Sequence, residues 1–301
     1  MFEKQAAAFL YCTSPVHMGA GTATGLVDNP IQRECHTGHP SFAGSGIKGA
    51  ARHAFANLVP DAADKRDRIF WPETGDDLYA GAISFGDAQL VAFPVRSLRE
   101  GFVYATCPQA LARAARLLAI SGRDAHWPTL TVANGHCQIT PQAKDALTDN
   151  GHVDLEVFQY QAEESAELAT IGEWLAGHAL HDKHVPDYFR NKLRDHLLLL
   201  SDTDFDYFVR NATLVEPHVR INEKTGAADS GGLFYTENLP PESLLIAPVM
   251  ASRERSGHPE PMDAGQVLGQ ISTALHGNVI QLGGDATTGR GMVSFHLVQG
   301  G

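Results

Sequence analysis

Residues 25–40 (GLVDNPIQRECHTGHP) and 44–52 (GSGIKGAAR) crowd polar side chains onto a backbone punctuated by glycine and proline. The exposed main-chain N–H groups of a glycine-rich loop, together with a helix N-terminus, form an anion site. Lys48 and Arg52, four residues apart, add two cations to one helix face near that end. Phosphate is the ligand class this chemistry suits. The competing reading is a surface loop leading into an ordinary amphipathic helix with both cations solvated. Asp28 is the one carboxylate of the loop before Glu34. At a phosphate site it can bind a metal ion or steer a proton. As Val-Asp-Asn-Pro it also suits a plain Asx turn ahead of a proline.

Residues 283–291 (GGDATTGRG) form a second constellation between two short apolar runs. No helix-opening G-x-G-x-x-G and no Gly-Lys-Ser/Thr is present, so neither dinucleotide nor P-loop chemistry applies. Four glycines with two threonines and an arginine exceed what a tight hairpin turn needs, and they suit close backbone approach to a ligand. His17 and His36 sit in or beside the glycine loops as candidates for touching RNA or phosphate. His178, His181 and His184 make no zinc motif and read as a polar helix end.

The elements that must position these residues begin with a strand over 5–13 and an irregular stretch over 16–44. Ser45 is placed to N-cap a helix over 46–58, with Ile47, Ala50, Ala51, Ala54 and Phe55 at helical spacing. Strand-like runs follow at 81–86, 90–96 and 101–106, and Pro108 opens a helix to about residue 120. The middle reads as a strand at 153–158 and helices at 163–176 and 187–200. Extended runs at 204–221 and 232–237 bracket a glycine-containing hairpin tip. A strand at 242–250, a helix at 263–276 and strands at 278–282 and 291–298 end the chain. The order implies an α+β fold with a mainly antiparallel sheet.

The 301 residues carry 23 Lys+Arg against 35 Asp+Glu, a net charge of −12 that argues against a generic nucleic-acid binder. The charge is unevenly spread. Residues 1–53 sum to +1 and residues 264–301 to 0, so subtraction from −12 leaves −13 for residues 54–263. At 43% hydrophobic and 19% charged the composition is that of a folded globular protein. No apolar run reaches the length of a membrane span, and no leader pattern opens the sequence. Cys12, Cys35, Cys107 and Cys137 show no C-x-x-C pair and read as reduced thiols of a cytoplasmic protein.

The pattern PIQRE-x-HTG-x-P followed by GS-x-(L/I)-KGA-x-R resembles the N-terminal signature of the RAMP superfamily of CRISPR proteins, and most closely the backbone subunits of type III-B (Cmr) effector complexes. GGDATTGRG resembles the superfamily's glycine-rich loop, and FYTENLPPESLL (234–245) a segment that precedes it. His39 and Ser41-Phe42-Ala43 depart from the family's more apolar residues at those positions. The resemblance implies a modified RRM-like (ferredoxin-like) core over about 1–121 and 240–301. It also implies an inserted helical region over about 122–203 and a β-hairpin thumb within about 204–239, the hairpin itself at 216–236. It further implies guide RNA (crRNA), complementary target RNA, further copies of the chain in a helical filament and other Cmr subunits as partners. Asp28 stands where the family carries the aspartate required for cutting target RNA. Ser45, Lys48, Arg52 and the loop Gly283, Gly284, Thr288, Gly289, Arg290 and Gly291 should face the guide, with His17 and Arg33 as further RNA contacts.

These expectations describe an endoribonuclease that cuts target RNA at regular intervals, with Asp28 holding a divalent cation, Mg²⁺ or Mn²⁺, or assisting removal of the 2′ proton. His17, Tyr235 and Glu237 are weaker candidates for positioning. The alternatives are a non-catalytic guide-binding scaffold, a guide-processing RAMP endoribonuclease and, more remotely, a metal hydrolase built on the histidines. Neutral terminal segments imply RNA recognition through backbone N–H groups and a few placed cations. A lone subunit should then bind RNA weakly and gain avidity from repeated copies.

Overall fold

The structure, a computed structural model, describes residues 2–23, 25–60, 63–72, 78–180 and 183–300. The first half of the chain forms β1 (Lys4–Cys12), β2 (Ser41–Phe42), α1 (Gly44–Leu58), α2 (Ala63–Ile69), β3 (Ile83–Phe85), β4 (Ala88–Ser97), β5 (Gly101–Thr106) and α3 (Pro108–Ile120). The middle adds β6 (His136–Ile139), α4 (Lys144–Leu147), β7 (His152–Leu155), β8 (Phe158–Glu164), α5 (Ala166–His178), α6 (Asp187–Asp195) and β9 (Leu197–Leu200). Then come α7 (Asp202–Asn211), β10 (Leu214–Ile221), β11 (Ala228–Asn238), β12 (Leu244–Ala251), α8 (Ala264–Leu275), β13 (Asn278–Gln281) and β14 (Met292–Gln299).

β1 lies between β14 and β12, antiparallel to both. Its period of two sends Ala6, Ala8, Leu10 and Cys12 into one core with Ile47 and Phe55 of α1 and Ile271 of α8. Ala7, Phe9 and Tyr11 enter the other core with Leu111 and Leu118 of α3 and Leu168 and Leu175 of α5. A strand covered on both faces has no polar side, which is why AAAFLYC reads as an unbroken apolar run. Across the second core the hydroxyls of Tyr11 and Tyr104 meet at 2.9 Å.

β4 joins this sheet to a second unit. Strands β4, β5, β9, β6, β8 and β7 follow one another, and β7 returns to β4 through Ser97 opposite Leu155. The six close into a barrel-like ring. β5–β9 and β6–β8 run parallel, and the other ladders are antiparallel. The fold is mixed α+β with a mainly antiparallel, sheet-rich core.

Several elements differ from the sequence expectation. The stretch 122–203, expected as a helical insertion, supplies four of the six ring strands, with α5 and α6 outside them. The expected strand at 153–158 breaks at Glu156, whose φ of 52° turns the chain into the β7–β8 hairpin. The helix expected over 187–200 stops at Asp195, and Leu197–Leu200 form the fully buried strand β9. Four consecutive leucines satisfy either period, and the gap in the ring decides. The extended run expected from 204 begins instead with α7, where Ser201 Oγ accepts the Asp204 N–H at 3.0 Å. Ser45 lies inside α1 and does not cap it. Ala43 is the N-cap, and the Gly44 N–H donates to Asp87 Oδ1 at 2.7 Å.

β10 and β11 form a two-stranded sheet of their own. Val215, Val219, Ile221, Leu233 and Tyr235 expose apolar surface on one of its faces. The four cysteines are unpaired, with burial pushing the Cys12 and Cys107 thiols far above their usual range and Cys137 up to about 12. Among the described residues no helix is long and apolar enough to cross a membrane.

Candidate functional site

The irregular segment after β1 is laced to the base of the β10–β11 hairpin. Val16 bridges Leu239, and the segment folds on itself where Gly19 bridges Ile31. Asn29 then runs beside β11. Its N–H donates to the Tyr235 carbonyl, and its own carbonyl accepts the Glu237 N–H, each at 3.0 Å. This pairing carries Asp28 to the hairpin, where Asp28 Oδ2 accepts the Tyr235 N–H at 2.7 Å. Oδ1 is left without a partner among the described residues. The Asx-turn reading of Asp28 therefore gives way to a bond across 207 positions of sequence.

Glu237, only 6% exposed, fastens the other end of this short strand. Its Oε2 accepts the Ile31 N–H at 3.1 Å, and its Oε1 accepts from Arg33 and from Thr213 Oγ1. Arg33 also donates to the carbonyls of Gly38 at 2.8 Å and Val209 at 2.9 Å. The guanidinium expected to face RNA is turned onto the protein, where it positions the Asp28 strand. His17 Nδ1 lies 2.7 Å from the Glu237 carbonyl. Because a carbonyl only accepts, this contact places a proton on Nδ1.

The glycine loop closes over the same segment. The Gly284 N–H donates to the His17 carbonyl at 2.9 Å, and the Gly291 N–H to the Pro15 carbonyl at 2.8 Å. Gly283, at φ 80°, has no room for a side chain, since a Cβ would stand 2.3 Å from the His17 carbonyl oxygen. Thr288 bonds the Asp285 carbonyl through both its N–H and its hydroxyl. Arg290 pairs with Glu216 of β10. The structure thus brings together His17, Asp28, the hairpin base and Gly283–Gly291.

α1 is differently disposed. Its N-terminus touches this segment, because a Cβ on Gly46 would come within 3.2 Å of Met18 Sδ. Ser45 is exposed there. Lys48 Nζ sits 4.9 Å above the Trp71 ring, and burial draws its pKa down. Arg52 is 8% exposed, lies over the same ring and pairs with Asp67 at 3.1 Å. The anion site expected at this helix end is shared with protein carboxylates, Asp87 at the terminus and Asp67 beside Arg52. Neither aspartate stands in a motif that sequence reading could have found. His39, the departure noted in the loop, is 2% exposed and packs edge-on to Phe205 at 5.4 Å, as an aromatic residue would. Burial lowers its pKa.

Among the described residues no three His, Cys, Asp or Glu side chains are grouped to hold a metal ion. A hard divalent cation takes about six oxygen ligands, and the described residues give Asp28 no companion set. The donor set does not fit a resident ion. His178 stacks on Trp174 at 4.3 Å and bonds its carbonyl, and His181 lies outside the described residues.

A glycine loop and a carboxylate laced to the base of a hairpin, on a sheet with helices on both faces, define the class. The chain belongs to the RAMP superfamily, whose model matches residues 9–294. It is 31% identical over 296 residues to the CRISPR system Cmr endoribonuclease Cmr4 of Pyrococcus furiosus, covering 96% of this chain and 94% of that one. The crystal structure of oligomeric Cmr4 from Pyrococcus furiosus matches with a TM-score of 0.73 at 24% identity, covering 98% of each chain. A type III-B Cmr-beta chain, solved by cryo-EM bound to cognate target RNA, matches with a TM-score of 0.71 at 18% identity, again over 98% of each.

Proposed function

We propose that this chain is the backbone subunit of a type III-B CRISPR effector, binding guide RNA, stacking into a filament and cutting guide-complementary target RNA beside Asp28. In this reading the β1–β12–β14 sheet with α1 and α8 is the modified RRM-like core, and β10–β11 is the thumb that interrupts the guide–target duplex. The observation that carries it is the anchoring of Asp28 Oδ2 by the Tyr235 N–H. A carboxylate built into the root of a projecting hairpin stands where that hairpin would kink a strand. The 31% identity to a protein named as an endoribonuclease supports the same reading.

The chemistry follows from RNA itself. A nucleotide displaced from the A-form stack can bring its 2′-oxygen in line with the adjacent phosphorus, which a stacked one does not. The 2′-oxygen attacks phosphorus, the bond to the 5′-oxygen breaks, and the products carry a 2′,3′-cyclic phosphate and a 5′-hydroxyl. With Oδ2 tied to Tyr235, Oδ1 is the oxygen that takes the 2′ proton, and the leaving 5′-oxygen takes a proton from water. Asp28 would be the one contact offered to a divalent cation, Mg²⁺ or Mn²⁺, arriving with the RNA, and such an ion would supply charge stabilisation.

The test is cleavage of guide-complementary RNA by the reconstituted complex. Asp28→Ala is expected to abolish an evenly spaced product ladder while target binding persists, and adding EDTA reports on the ion. An unchanged ladder from that variant would leave the chain as a guide-binding scaffold.

A further inference from the structure

Two adjoining clefts of about 470 and 390 Å³ lie between the loop after Arg33, the start of β4 and the outer face of α3. They share His36, Gln89 and Arg113 and are continuous through them. Gln109, Ala112, Arg113 and Arg116 fall at helical spacing on one face of α3, while Leu111, Ala114, Leu117 and Leu118 face the core.

The charges in this groove are unequally spent. Glu34 is engaged by the Arg113 guanidinium through both oxygens and by Thr37 Oγ1 at 2.6 Å. Asp87 accepts the Gly44 N–H at 2.7 Å. Arg113, held also by Gln89 Oε1 at 3.1 Å, uses three of its five N–H donors on these partners. Arg116 is exposed and has no ion pair or hydrogen bond to another described residue. Glu34 and Arg113 thus offset each other and Asp87 keeps its charge under one N–H donor, while Arg113 retains two unused donors and Arg116 stands free beside it, flanked by the amides of Gln89 and Gln109 and by His36.

We infer that this groove is a second RNA site, in which Arg113 and Arg116 take backbone phosphates and the two glutamines and His36 meet sugars or base edges of a single strand. A protein partner is the poorer fit. Protein interfaces centre on apolar and aromatic anchors, and none of the exposed large apolar side chains lines the groove. Arginine and neutral amides around a phosphate track are what RNA recognition uses. The groove is also within reach of Asp28. Arg33 lines it, and five residues of extended chain from Asp28 to Arg33 span at most about 18 Å. A strand leaving Asp28 can therefore continue into it. The inference rests on the RNA-binding reading given above.

The test uses the full chain with a labelled single-stranded RNA, followed by fluorescence anisotropy from about 50 mM salt upward. Arg116→Glu is expected to weaken binding about tenfold and to reduce the slope of log affinity against log salt by about 0.7, the share of one phosphate. Arg116→Lys should restore most of both. Gln109→Glu, which sets a carboxylate on the same helix face, should weaken binding in the same direction. Binding by the unmodified chain that is unaltered in Arg116→Glu overturns this site alone. No binding by the unmodified chain overturns the RNA reading, and the site with it. A change in sedimentation of Arg116→Glu without RNA, at unaltered RNA affinity, would make the groove a contact between copies and overturn the proposal.

Discussion

Glu237 accepts the guanidinium of Arg33 through one carboxylate oxygen and the Ile31 N–H through the other, so one buried acid on β11 holds the strand that presents Asp28. The pair is mostly buried, with side-chain exposures of 8% for Glu237 and 23% for Arg33. Removing one member leaves the other's charge without compensation in a desolvated place.

Glu237→Gln and Arg33→Met should each lower stability by about 3 kcal/mol, since breaking a buried pair from one side is costly. The double variant should lose clearly less than the two losses added together. Denaturant unfolding of the four proteins measures the coupling, and simple additivity would mean that the two residues act separately. Target cleavage should fall in all three variants, because the Asp28 strand loses its anchor.

The Tyr235 N–H points away from β10, where its partner in the ladder, Pro217, has no N–H of its own. Tyr235→Pro therefore deletes the donor to Asp28 without taking a hydrogen bond from the hairpin. Cleavage should drop at least tenfold, as expected for a misplaced catalytic group, with circular dichroism unchanged. Full activity in that variant would show that the Tyr235 bond does not orient Asp28.

Acid stability should depend on Glu254, whose side chain is fully buried against Arg68. Burial pushes its pKa up, but hydrogen bonds from Arg68, Ser256 and the Met262 N–H outweigh that and hold it down at about 2, against an ordinary 4.5. The sign follows from the depressed value. The stabilisation is complete above about pH 4.5 and is lost as pH falls towards 2. It amounts to about 3 kcal/mol by linkage. Thermal melts between pH 5 and pH 2, run on the protein and on Glu254→Gln, should show a steep fall in the former and a shallower one in the latter.

Local pattern located much of this. The strand over 5–13 appears as Lys4–Cys12, the helix opened by Pro108 ends at Ile120, and the helix over 263–276 appears as Ala264–Leu275 with Asp263 and Gln266 forming its capping box. These elements declare themselves because their faces are uniformly apolar or their caps lie next to them. The ring declared itself only in part, through the strand-like runs at 90–96, 101–106 and 153–158. β6 and β9 have four residues each, too few to display a period, and they become strands only because neighbours from distant sequence pair with them.

The sequence by itself determined the membership of the chain, the two glycine-bearing constellations and the chemistry available to Asp28, since those depend on residue types at short spacing. It also showed that the acid of the chain avoids its terminal segments, which meet at the candidate site. Tertiary structure decided which charges remain available. Arg33 and Arg52 look alike on the page as loop and helix cations, yet one is committed to Glu237, 204 residues away, and the other to Asp67. Arg113 and Arg116 carried no signal at all until the fold set them along one groove. The cause is that periodicity and motifs are local, whereas pairing of a charge depends on which distant strand the chain returns beside it.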